Sequence, residues 1–197
     1  SSNGILLAPI AQQLHRAGIQ SINLSLDALQ PALYQRITGG SLDDFLNGFR
    51  ASLQAGFPQV KLNCVLLRGL NDQELRPLVH FAAEHHVPIR FIELMPLTLI
   101  PSQGQDLFLS IQNAQEILGG PGNLIPQPNF QAGRGPARYF KDRTSGAMVG
   151  FIGALTTPDF CDSCNKIRLT ADGKLRPCLG RHGEIDLPSS RRNESGH

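Results

Sequence analysis

Three strand-like stretches separated by helix-length segments constrain this chain more than any other feature. Residues 21–27 read Ser21-Ile22-Asn23-Leu24-Ser25-Leu26-Asp27, a strict polar–apolar alternation with the period of a strand. Residues 60–67 and 88–95 read as two more strands. Helical patterns begin at Pro31 and at Ser41, between the first two strands. Ser41 has Asp44 three places on, like a capping box, while Phe45, Leu46, Phe49 and Leu53 share a face. Between the second and third strands Asn71 and Glu74 open a helix with Leu75, Leu78, Val79 and Ala82 on one side, and Pro77 either kinks it or delays its start. Residues 9–17 predict a helix ahead of the first strand. Strand–helix alternation at these lengths predicts βαβ units and a parallel sheet.

The polarity of the strands adds a second constraint. Parallel strands covered on both faces are almost wholly apolar. Here Ile22, Leu24 and Leu26 oppose Asn23, Ser25 and Asp27, and Val60, Leu62, Cys64 and Leu66 oppose Lys61, Asn63, Val65 and Leu67. Each strand keeps one face for helices and one partly polar face, either a wet cleft that binds a polar ligand or an edge that meets water. Lys61 sharpens the question, because an ammonium inside an apolar strand needs a partner. It could hold an anionic ligand, pair with Asp27 or Glu93, or serve as a Schiff-base nucleophile. Cys64, on the apolar face, reads as core packing.

Beyond Met95 the pattern breaks. Residues 110–118 predict a short helix, 119–136 predict a loop on their glycines and prolines, and residues 139–140 with 148–152 predict a short antiparallel pair. Apolar stretches stay under ten residues, too short for a membrane span. A net charge of +2 gives no general nucleic-acid surface. The chain starts at Ser1 without an initiator methionine and inside a motif, which predicts a fragment.

Three of the four cysteines lie close together: Cys161-Asp162-Ser163-Cys164, then Cys178. A C-x-x-C turn lets two thiolates grip one metal or cluster, with Cys178 returning from the next segment. Closed structural zinc takes four protein ligands, and three leave a position open. His182 could complete a Cys₃His zinc site, so spacing leaves zinc and an iron–sulfur cluster both standing. Close thiols without a secretory signal predict a reducing, cytoplasmic setting. Lys166, Arg168, Lys174, Arg176 and Arg181 surround the thiols, suiting a polyphosphate or simply forming a solvated basic loop.

Several stretches together resemble the GTP 3′,8-cyclase family of molybdenum-cofactor biosynthesis, a radical S-adenosylmethionine family. They are Ser2-Asn3-Gly4, Ile22 to Asp27, Val60-Lys61-Leu62-Asn63, Leu67-Arg68-Gly69-Leu70-Asn71, Arg90-Phe91-Ile92-Glu93-Leu94-Met95-Pro96 and the whole of residues 160–179. The resemblance covers residues 1–187 and is weak over 97–133. It implies an α/β fold, the C-terminal half of a partial (β/α)₆ radical SAM barrel in residues 1–96. Residues 97–187 then form an extension with short antiparallel strands and a second [4Fe–4S] cluster, and 188–197 a truncated or disordered tail.

By the same resemblance, Cys161, Cys164 and Cys178 hold that second cluster, with one iron open to the guanine of GTP and His182 a bystander. Ser1, Lys61, Lys166 and Arg168 fall where the family contacts GTP, and Ser25 and Met95 where it contacts S-adenosylmethionine. The implied reaction is radical conversion of GTP to a 3′,8-cyclised nucleotide, which a downstream pterin synthase consumes. It leaves room for a homodimer.

This chain departs from the family in four places. The C-x-x-x-C-x-x-C loop of the first [4Fe–4S] cluster is absent, with about three βα units of ~30 residues ahead of it. Ser1-Ser2 stands for Thr-Thr, Lys166 stands for arginine, and the Gly-Gly tail is missing. The expectation is a chain that binds GTP and the second cluster but is inactive alone. The alternative is a non-enzymatic Cys₃His zinc module.

Overall fold

A computed structural model of the chain describes residues 1–95, 107–133, 135–158, 160, 167–178 and 183–186. Helix α1 (Ala11–Arg16) leads into β1 (Ser21–Ser25). Helices α2 (Pro31–Thr38) and α3 (Leu42–Gln54) then connect to β2 (Gln59–Leu66). A 3₁₀ turn (Asp72–Glu74) and α4 (Leu75–Glu84) lead to β3 (Ile89–Glu93). Helix α5 (Ile111–Ile117), a helical turn α6 (Gly120–Asn123), and strands β4 (Leu124–Pro126), β5 (Arg138–Asp142) and β6 (Met148–Ile152) follow. The short strands β7 (Arg168–Leu169), β8 (Lys174–Arg176) and β9 (Ile185–Asp186) come last.

The architecture is mixed α/β. Six strands form one sheet in the order β1-β2-β3-β6-β5-β4, and β7-β8-β9 form a second, antiparallel one. β1, β2, β3 and β6 run parallel, whereas β5 and β4 are added antiparallel. The expected antiparallel pair is therefore present, and β6 is also the fourth parallel strand beside β3. The outer edge of β1 is partly covered: the Ser2 amide donates to Asn23 O (2.9 Å) and the Ser25 amide to Ser2 O (3.0 Å).

Local chemistry explains the helix limits. Pro31 sits in the first turn of α2, where its missing N–H costs nothing. Ser41 caps α3 by accepting from the Asp44 amide at 3.3 Å, a contact worth about 1 kcal/mol. Pro77 does not kink α4, since it lies in the first turn after the 3₁₀ segment. Asn71 caps nothing with its side chain. Instead its amide, fully buried, accepts from Leu67 N and donates to Asp27 O and Val65 O, tying the ends of β1 and β2 together.

The apolar side chains of β1 and β2 meet the helices. Phe45 and Phe49 of α3 stack at 6.1 Å and belong to one core with Leu24, Leu62, Cys64, Leu78 and Phe91. Cys64 is fully buried there, as its place on the apolar face predicts. Gly48 admits the closest approach: a Cβ on it would lie 2.0 Å from Gly4 O, so the Gly4 segment can cross α3 only over a glycine.

The loop expected over 119–136 needs correction at its start. Residues 120–123 close a helical turn and 124–126 form edge strand β4 against β5. Leu124 is buried, and Asn123 donates to Leu118 O and Asp142 Oδ1. Glycine and proline density hid a strand of three residues, in which edge position lets Pro126 go without a donor.

Buried carboxyls hold the connections. Glu74 accepts from the Leu29 and Gln30 amides at the entry to α2. Glu93, 1% exposed at the end of β3, accepts from Ile111 N (3.0 Å), Leu155 N (2.9 Å), Thr156 N (3.2 Å) and the Thr156 hydroxyl. One side chain thus fixes both the start of α5 and the turn after β6. Replacing Glu93 by alanine strands several buried donors, and the expected loss is about 3 kcal/mol or more, with Glu93→Gln losing roughly half of that. Urea midpoints of the three proteins check it.

Candidate functional site

Strand register decides which side chains share a face, because paired residues project to the same side. Ser21, Asn23 and Ser25 stand opposite Gln59, Lys61 and Asn63. Asn63 stands opposite Arg90, Arg90 opposite Gly150, and Gly150 opposite Tyr139. These residues make one polar face, the reverse of the face that enters the core.

Lys61 is 4% exposed on this face. Its ammonium donates to Gln59 Oε1 (2.6 Å), Ser21 Oγ (3.0 Å) and Ala132 O (3.0 Å), all neutral acceptors. The acids that sequence offered as partners are engaged elsewhere: Asp27 Oδ1 accepts from Val65 N at 2.8 Å, and Glu93 holds α5.

Arg90 is a second buried cation, 8% exposed. Its Nε donates to Asn63 Oδ1 (2.8 Å) and its Nη2 to Asn23 Oδ1 (2.9 Å). Among the described residues no ion pair involves it. Asn23 links the two cations, lying beside Lys61 in the register and accepting from Arg90. Sequence reasoning passed over Arg90, although the alternation Ile89, Arg90, Phe91 placed it on the polar side.

The Arg90 guanidinium, held in the folded interior by amide dipoles, retains much of its desolvation cost, and an anion offsets it best. Arginine presents a planar fork matched to phosphate and carboxylate, and lysine a compact charge. This face is therefore chemically disposed toward an oxyanion. The loop after β4 reaches it through Ala132 O, and a Cβ on Gly133 would lie 3.1 Å from Lys61 Nζ.

The other predicted residues fall in different places. Ser25 ends β1 and is partly buried, and Met95 lies two residues past β3. Ser1 is exposed beside the Ser2 bridge. Arg168 is exposed on β7 opposite Arg176, and Cys178 is half-buried two residues past β8. Cys161, Cys164, Lys166 and His182 lie outside the described residues.

The basic run around the thiols is partly neutralised. Lys174 pairs with Asp172 and Glu184 at 3.5 Å, and Arg176 pairs with Glu184. Arg176 holds the Glu184 carboxyl below its ordinary value, and Asp172 holds the Lys174 ammonium above its own.

Residues 87–197 match the family described as Molybdenum Cofactor Synthesis C. The chain belongs to that family. Residues 1–82 match the Radical SAM superfamily. Among similar proteins are those named GTP 3′,8-cyclase from Moorella thermoacetica (42% identical over 190 residues), Pseudomonas putida (39% over 200) and Alkaliphilus oremlandii (38% over 194). The alignments cover 95%, 100% and 98% of this chain but 57%, 59% and 59% of those relatives, so it spans about three fifths of their length. No helix among the described residues is long and apolar enough to cross a membrane.

In this molybdenum-cofactor-synthesis chain, Asp27 carries a pH signature at the end of β1. Burial pushes its carboxyl above the ordinary value of 3.8, with the Val65 amide partly opposing. A carboxyl raised by folding binds its proton more tightly in the native state, so stability falls as pH rises from 3.8 through the native value. Asp27→Asn keeps an acceptor for Val65 and removes the desolvated charge. At pH 7 its Tm is expected to equal or exceed that of the parent by about 2 °C, the gap closing below the ordinary carboxyl range. Thermal melts of both proteins across that range check it.

Proposed function

We propose that this chain is the substrate-binding part of a GTP 3′,8-cyclase, a partial (β/α)₆ barrel (residues 1–96) with a cluster-bearing extension (97–187). The observation that carries the reading is the pair of buried cations, Lys61 and Arg90, on the polar face of the parallel strands. That face becomes the interior of the barrel, and a triphosphate is the ligand that best complements it. The relatives' name supplies the nucleotide.

Within this reading Lys61 and Arg90 neutralise phosphate oxygens inside, and Ser1, Lys166 and Arg168 add contacts from the rim. Ser25 and Met95 line the place of S-adenosylmethionine, at the C-terminal ends of β1 and β3, where parallel barrels hold their ligands. The Lys61 ammonium donates to Gln59, Ser21 and Ala132 and in this reading serves as a phosphate-facing charge, not as a nucleophile.

The donor set of the extension fits a [4Fe–4S] cluster, since Cys161, Cys164 and Cys178 supply thiols and leave one iron open. When bound, that cluster supplies a Lewis-acidic iron for the guanine base. Within this reading residues 1–197 supply GTP binding and the second cluster, and not the thiols of the first, radical-generating one.

Anaerobic reconstitution followed by GTP titration tests the reading. The expected result is about four irons per chain, an iron–sulfur absorption band and its perturbation by GTP. Lys61→Gln and Arg90→Gln are each expected to weaken GTP binding by about tenfold to a hundredfold, the loss of one positive charge facing the triphosphate. Equal GTP affinity in both variants would sink the assignment. One zinc per chain, lost in His182→Ala and indifferent to GTP, would make the extension a structural zinc module.

A further inference from the structure

Tyr139 carries a buried hydroxyl beside the Arg90 guanidinium. It is 7% exposed, and its hydroxyl is buried without a hydrogen-bond partner among the described residues. Such an orphan costs stability, and its persistence needs a reason. Its position supplies one. Tyr139 lies on the polar face, one strand beyond Gly150, in the row that runs Asn63, Arg90, Gly150, Tyr139.

Gly150 is what lets the ring reach Arg90. A Cβ there would stand 2.8 Å from Tyr139 Cε1 and 3.0 Å from Arg90 Cγ, so the ring and the arginine stem close over the glycine. Phe130 fixes the ring from the other side, edge to face at 5.0 Å. The phenol is therefore held in place before any ligand arrives. Arg90 spends Nε and Nη2 on Asn63 and Asn23, and its Nη1 has no hydrogen bond among the described residues.

A second buried tyrosine sharpens the contrast. Tyr34 also has an unpartnered hydroxyl, but its ring packs on Phe45 in the apolar core and the charge it feels is the Asp27 carboxylate. That surrounding repels an anion. Around Tyr139 the charge is the Arg90 guanidinium, which by charge and hydrogen bonding partly opposes the effect of burial; burial outweighs it and keeps the phenol protonated, hence a donor, at neutral pH.

We propose that the Tyr139 hydroxyl and Arg90 Nη1 together donate to one phosphate oxygen of the bound nucleotide, making Tyr139 a further binding residue of the polar face. This rests on the reading that the face takes GTP. The phenol adds what Lys61 and Arg90 cannot, a short neutral donor on a rigid ring that fixes where the oxygen sits. Gly150 belongs to the site as the residue that makes room.

Tyr139→Phe removes the hydroxyl alone and keeps the ring on Phe130. Isothermal titration of the reconstituted chain with GTP, alongside thermal melts, tests the assignment. GTP affinity is expected to fall about tenfold while Tm is unchanged or rises, because the free protein loses an unsatisfied group. Unchanged affinity in Tyr139→Phe, with Lys61→Gln weakened, overturns the Tyr139 assignment and leaves the GTP reading intact. A loss of affinity accompanied by a fall in Tm overturns it also, by giving the hydroxyl a structural role. Absence of GTP binding to the parent chain overturns both.

Discussion

The sheet has to bury two cations on one side while the other side closes a hydrocarbon core, and much of the structure follows from that. Lys61 and Arg90 are each flanked in their strands by residues that face the helices, so neither can turn outward without exposing Val60, Leu62, Ile89 or Phe91. With period-2 geometry the charges have only the polar face to occupy. Amides and hydroxyls then do the solvating: Asn23 and Asn63 take Arg90, and Ser21 and Gln59 take Lys61. Neutral dipoles lower the burial cost of the Arg90 guanidinium without cancelling its charge.

Three acids near the strand ends hold backbone amides. Glu74 is spent on the amides that enter α2, and Glu93 on those that begin α5 and the turn at Leu155. Asp27 is spent on Val65. Each carboxyl stabilises a connection between elements through backbone donors.

The parallel core and its two-faced strands were legible in sequence because both rest on periodicity, as Ile22, Leu24, Leu62 and Cys64 show by lying where alternation puts them. Short elements were not. β4 has three residues and its pairing partner lies beyond an intervening loop, so nothing local announces it. Asn71 looked like a helix cap because capping is the commonest local use of that side chain, yet three tertiary hydrogen bonds win here. Lys61 stood out as a charge among apolar residues, whereas Arg90 and Tyr139 did not. Their significance depends on Gly150 lying between them, a relation set by strand order and not by sequence distance.

That relation also explains why an antiparallel pair is attached to a parallel sheet. β6 continues the parallel set, but β5 returns beside it in the opposite sense and brings Tyr139 to the row of Arg90. The segment between β4 and β5 then reaches back across the face, so that Ala132 O meets Lys61 and Phe130 meets Tyr139. Two contacts only two residues apart in that segment thus touch both Lys61 and Tyr139. The segment joins β4 to β5, and Gly133 within it lets its backbone come within reach of the ammonium. A Cβ on Gly133 would crowd Lys61 Nζ at 3.1 Å, so the close approach of backbone and charge requires a residue without one.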